Sequence, residues 1–176
     1  MDHLAAQGAR RVALVAGPGR DHYTRCSLAA HREWCAERGA VPYAVPLAPG
    51  DSEGRYLDAL LSGPDAPDAL YGIYNPCGRQ ALASAARLGI RVPEELLLVC
   101  ASEDPAYEAT LPPLSTVSLD PRRAADLAIA ALVDLIEHPR QAPGTSVVPA
   151  RLLVRASSVR VPAAVEEILD QGSSVI

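Results

Sequence analysis

Short apolar runs separated by stretches of helical periodicity fill this 176-residue chain, and that alternation constrains its fold more than any other feature. The runs at residues 12–16, 41–45, 69–74, 96–101, 115–119 and 147–154 read as strands. Helical patterns lie between them at about 23–38, from Asp51-Ser52 to Gly63, from Asn75 to Gly89, and from Asp120 to about His138. A strand that rejoins its sheet by way of a helix runs parallel to its predecessor, so βαβ units on a mostly parallel sheet follow. Val12-Ala-Leu-Val-Ala16 and Leu96-Leu-Leu-Val-Cys-Ala101 have no polar face, as strands covered on both sides require.

Local chemistry marks the ends of these elements. Asn75 before Pro76 reads as a helix N-cap with proline at the first helical position, and Asp51-Ser52 as another cap. Gly39 and Gly89 read as C-terminal stops. After Asp120-Pro121, residues Leu127, Ala128, Ala131, Leu132, Leu135 and Ile136 fall on one stripe of an amphipathic helix. The tail at about 163–171 reads as a terminal helix.

The length fits one domain. Hydrophobic residues make up 49% of the chain, with one Trp and no Phe, so its core is built from Leu, Val, Ile and Ala. Sixteen basic against 21 acidic residues leave a net charge of −5. Arg10-Arg11 and Arg122-Arg123 are only short pairs, whereas a phosphate backbone is held by clustered cations, so the chain by itself is not expected to bind nucleic acid. Cys26, Cys35, Cys77 and Cys100 form no C-x-x-C, and no His stands at metal-ligand spacing from them. Reduced thiols in the core of a cytoplasmic protein without a bound metal or cofactor are expected. The N-terminus has no basic segment followed by an apolar one, and no apolar run approaches the ~20 residues that span a bilayer. Neither secretion nor a membrane is indicated.

In an open parallel sheet, ligands bind beyond the carboxyl ends of the strands. Here that rule selects residues 17–21, Tyr74-Asn75 and Ser102-Glu103-Asp104. Gly17-Pro18-Gly19 resembles the start of a dinucleotide loop, but His22 stands where the third glycine belongs. There is no Walker A sequence and no nucleophile elbow. His3, His22, His31 and His138 are scattered, and no nucleophile, base and oxyanion donor can be assembled, so catalysis is not expected.

Three stretches together resemble the effector-binding domain of the lactose/galactose repressor family of bacterial transcription regulators. They are His3-Leu4 through Gly8-Ala-Arg-Arg-Val-Ala-Leu-Val-Ala-Gly-Pro18, then Leu88-Gly-Ile-Arg-Val-Pro-Glu-Glu-Leu-Leu-Leu-Val99, and finally Pro112-Pro-Leu-Ser-Thr-Val117 with Val148-Pro-Ala-Arg-Leu-Leu-Val-Arg-Ala-Ser157. The resemblance implies a periplasmic-binding-protein-like, three-layer αβα fold. It places mostly the C-terminal subdomain at residues 1–160, with 118–138 crossing toward an N-terminal subdomain largely missing here and a tail at 161–176. It also implies a homodimer, a small polar effector such as a sugar or nucleoside, and DNA contact only through a helix-turn-helix module absent from this chain.

The departures from that family affect the site. Ser27 stands where the family carries its effector-binding arginine, with Arg25 two residues earlier, and Ser102 replaces the family's ligand aspartate. Tyr74-Asn75 replaces an Asn-Asp pair. The ligand-binding residues expected from tips and resemblance together are Asn75, Ser102, Glu103, Ser27, Arg25 and Gly17. A solute-binding component of an uptake system, or a truncated remnant that no longer senses an effector, are the competing readings.

Overall fold

The apolar runs become strands because each is too hydrophobic to face water and too short to bury itself as a helix. A computed structural model describes residues 1–17, 21–48, 50–51, 53–140 and 144–160. In chain order its elements are α1 (Asp2–Ala6), β1 (Val12–Ala16), α2 (His22–Ala36), β2 (Tyr43–Pro46), α3 (Tyr56–Ser62), β3 (Ala69–Gly72), α4 (Pro76–Leu88), β4 (Leu97–Ala101), β5 (Ser115–Ser118), α5 (Pro121–Glu137) and β6 (Arg151–Leu153). The strands form one sheet in the order β2-β1-β3-β4-β5-β6. All neighbours are parallel except β5 and β6, which are antiparallel.

Alternate residues of the central strands feed two cores. Ala13, Val15, Leu70, Leu98 and Cys100 pack with Leu57, Leu60 and Leu61 of α3 and with Cys77, Ala81 and Ala85 of α4. On the other face Val12, Ala69, Leu97 and Val99 pack with Leu4 of α1 and Trp34 of α2. The result is the expected αβα sandwich. Each fully buried leucine in these layers contributes on the order of 1.5–3 kcal/mol. The strand β2 departs from expectation: it starts at Tyr43, and three of its four residues are exposed, because it is an edge with a single neighbour. Only residues 151–153 of the expected strand at 147–154 form one, again at an edge.

The caps are partly as expected. The Asp21 carboxylate accepts from the Thr24 backbone N–H at 2.8 Å and starts α2 one residue early, and α4 ends at Gly89 with φ +69°. The Asp51 carboxylate accepts from the Tyr56 N–H at 2.9 Å, so it caps α3 from five residues away; Ser52 lies outside the described residues. Asp120, with φ 48°, accepts from the Arg123 N–H at 3.2 Å and opens α5. Asn75 occupies the position before α4, but its side chain makes no capping bond. The terminal helix expected at about 163–171 lies outside the described residues.

None of the residues of α5 is buried, and Ile129, Leu132, Val133 and Ile136 are all exposed. That apolar face is uncovered in the chain alone. Among the described residues, no helix is long and apolar enough to cross a membrane.

All four cysteines are free thiols. Cys35, Cys77 and Cys100 are buried, and burial pushes the Cys100 thiol up to about 12. Cys26 corrects the expectation of core thiols, since it is exposed on the outer face of α2. A thiol reagent added to the folded protein therefore labels a single cysteine rapidly, and Cys26→Ser removes that fast phase. Rapid labelling of two or more sites would contradict the packing described.

Candidate functional site

The register of the sheet brings three strand ends together. Val15 of β1 stands beside Gly72 of β3, and Gly72 beside Cys100 of β4. The chain therefore leaves the sheet at Gly17, Ile73-Tyr74-Asn75 and Ser102-Glu103 on one rim. An open cavity of about 300 Å³ lies there, and Asn75, Ser102 and Glu103 all line it.

Each of these polar groups has a partner within the protein. The Ser102 hydroxyl donates to Asn75 Oδ1 at 2.5 Å and accepts from the Asp104 N–H at 3.0 Å. The oxygen that sequence assigned to helix capping is thus turned toward the neighbouring strand end. One carboxylate oxygen of Glu103 accepts from the Ser118 hydroxyl at 3.0 Å, and the other from the Leu119 N–H at 2.6 Å. Ser118 in turn accepts from the Asp120 N–H at 3.1 Å, and Arg151 pairs with Asp120 at 2.8 Å. Glu103 therefore anchors the segment leading from β5 into α5.

Gly17 serves the rim indirectly. A Cβ there would collide with Tyr74 Cε2, so only glycine lets the Tyr74 ring lie against the backbone at the end of β1. The Tyr74 hydroxyl reaches Asp21 at 3.1 Å and Thr24 at 2.9 Å, which ties the ring to the start of α2. Tyr23 meets Tyr74 edge to face with centroids 5.8 Å apart. Ser27 and Arg25 do not line the cavity: Arg25 is exposed, and Ser27 lies further along α2.

Sequence reasoning missed the residues that support the rim. Tyr107 is fully buried, and its hydroxyl donates to the Asn75 carbonyl. Arg79 pairs with Asp104 at 2.5 Å and lies over the Tyr107 ring. The cavity walls, including Tyr23, Ile73, Val117 and Leu119, were missed because the strand-tip rule was applied only to polar residues. Among the described residues, no group of His, Cys, Asp and Glu could hold a metal ion.

Two rim carboxylates titrate low. The ion pair with Arg79, followed by the Ala106 N–H, holds Asp104 below the usual carboxylate range. The Thr24 N–H and hydroxyl do the same for Asp21. A depressed folded-state value means that the unfolded chain takes up protons first on acidification. The stabilisation is complete above the ordinary carboxylate range and is lost as pH falls from about 5 through the folded values. The thermal midpoint therefore drops on acidification, and Asp104→Asn flattens that drop; an unchanged slope in that variant would remove Asp104 from the account.

Comparison with known proteins follows the same outline. A family model described as "Periplasmic binding protein-like domain" matches residues 1–158. The HTH-type transcriptional repressor CytR of Escherichia coli (strain K12) is 23% identical over 166 residues, which cover 92% of this chain and 49% of that protein. The chain thus spans about half the length of the curated relatives it matches. A solved LacI family transcriptional regulator from Bifidobacterium animalis subsp. lactis DSM 10140 superposes with a TM-score of 0.83 at 25% identity, over 92% of this chain and 59% of that one. A LacI family regulator from Mycobacterium smegmatis gives 0.75 at 26%, over 90% and 60%. A dimeric Lac repressor with an 11-residue C-terminal deletion gives 0.78 at 21%, over 90% and 58%, which shows shared fold alone.

Proposed function

Because the chain belongs to the periplasmic binding protein-like domain family, we propose that it is the small-molecule effector-sensing part of a bacterial transcription regulator. The observation that carries this reading is the convergence of Asn75, Ser102 and Glu103 beside one cavity at the carboxyl rim of the sheet. The relatives support it, since the proteins it resembles are described as transcriptional repressors and regulators. In this reading the rim is half of a clamp. A ligand that touches the rim and an opposing lobe favours one angle between them, and that difference in affinity biases operator binding. Contact with DNA falls to a separate helix-turn-helix module, in keeping with the net charge of −5. We place the protein in the cytoplasm, where its operator would be.

Glu103 acts here as a positioning residue. Its carboxylate joins the rim to Ser118 and Leu119, so a ligand that displaces the rim also moves the root of α5. We assign residues 118–138 to the crossing between lobes, with the exposed face of α5 covered in the assembled protein.

Thermal-shift screening of small polar and aromatic molecules tests the site. A ligand at 100 times its dissociation constant adds about 2.7 kcal/mol of stability. Ser102→Trp, which fills the cavity, abolishes the response. If no molecule raises the midpoint, effector sensing at this rim is refuted.

Self-association is tested separately. The protein sediments as a dimer at micromolar concentration, and Leu132→Glu on α5 dissociates it without lowering the unfolding midpoint of the monomer, because no residue of α5 is buried within the chain. A wild-type monomer at these concentrations would refute the dimer.

A further inference from the structure

Most of the rim's hydrogen-bonding groups already bond one another, and this bears on which ligands it can take. Ser102 is bonded to Asn75 and to the Asp104 N–H, while both Glu103 oxygens hold the Ser118–Leu119 segment. The Tyr74 hydroxyl is shared between Asp21 and Thr24. What remains facing the cavity is mostly carbon. Ile73, Ala101 and Val117 come from the ends of three neighbouring strands, and Leu119 and Pro121 from the segment beyond β5. Tyr23, about one third exposed at 36%, forms the remaining wall beside Tyr74.

Building on the effector-sensing reading above, we propose that this rim recognises a flat aromatic or heteroaromatic ring and discriminates against polyhydroxylated molecules. A sugar entering the cavity gives up water around each hydroxyl and meets mostly carbon in return. An aromatic ring loses little by the same transfer and gains contact with apolar walls. The perpendicular tyrosine pair shows the geometry such a ring adopts, edge toward face, and Tyr23 offers the exposed surface for it. A volume of about 300 Å³ is at the small end for ligand sites and suits a one- or two-ring system.

Titration of the whole chain with indole, followed by amide nuclear magnetic resonance, tests this against ribose and glucose as the hydroxylated probes. Indole produces saturable shifts at the amides of Ile73, Ala101 and Leu119, and ribose and glucose produce none at equal concentration. Leu119→Asn, at a half-exposed position that leaves the fold intact, weakens indole binding at least about fivefold. Tyr23→Ser provides a second variant with the same expected direction. Ribose or glucose binding at these amides without indole would overturn the ring preference while leaving effector sensing in place. No saturable shift from any probe, together with a negative ligand screen, would refute both. Indole binding unchanged by both substitutions would place it elsewhere and refute the proposal alone.

Discussion

Tyr107→Ala lowers the free energy of unfolding by about 3–5 kcal/mol, the range for emptying a fully buried aromatic site. The ring is 0% exposed, and a Cβ added at Gly78 of α4 would meet the Tyr107 hydroxyl at 2.9 Å and collide with Leu114 Cδ2. Helix, ring and Leu114 are therefore in such close contact that the cavity left by alanine cannot collapse. Tyr107→Phe keeps the ring and removes only the hydroxyl that donates to the Asn75 carbonyl. That variant loses about 1–3 kcal/mol, because the Asn75 carbonyl falls back on the weak Cys100 thiol donor at 3.7 Å. Urea unfolding separates the two; a phenylalanine variant as unstable as the alanine one would show that the hydrogen bond outweighs packing. Both variants also release the backbone at Asn75, so ligand response at the rim weakens even where the fold survives.

Arg155→Ala costs about 3 kcal/mol, because it leaves buried acceptors without their charged donor. The guanidinium donates to the Leu114 carbonyl at 2.8 Å, to Thr116 Oγ1 at 2.9 Å and to Glu108 at 2.8 Å, with its side chain only 17% exposed. It stitches β5 to the chain that returns past β6. Beside it, the Ser157 hydroxyl donates to the Leu98 carbonyl and accepts from the Ser115 N–H, both at 2.8 Å. Arg155→Lys keeps the charge but not the planar fork that serves three acceptors at once, so it recovers less than half of the loss. Equal stability of the lysine variant and the wild-type protein in urea unfolding would rule out that geometric account. The closing Val154-Arg155-Ala-Ser157 stretch, which carried part of the family resemblance, is thereby explained as a structural stitch and not as part of the ligand rim.

The fold was legible where a residue's role depended on near neighbours. Val12-Ala-Leu-Val-Ala16 forms a strand buried along its whole length, Asp120-Pro121 opens α5, and Gly89 closes α4. Expectation failed where a partner lay far along the chain. Residues 41–45 are as apolar as a central strand, yet β2 is an exposed edge, and that follows only from the strand order. His31 of α2 is buried at 1% exposure and reaches the Val12 carbonyl at 3.1 Å, a partner 19 residues away.

The sequence by itself determined the alternation of strands and helices on a mostly parallel sheet and the rim at which its loops gather, because hydrophobic patterning and the residues at element ends act over a few positions. The tertiary structure alone decided which rim groups remain free to meet a ligand. Ser102 finds Asn75 across 27 residues of chain, and Tyr74 reaches Asp21 across 53. No local pattern encodes such pairings, since they exist only once separate strands are laid side by side.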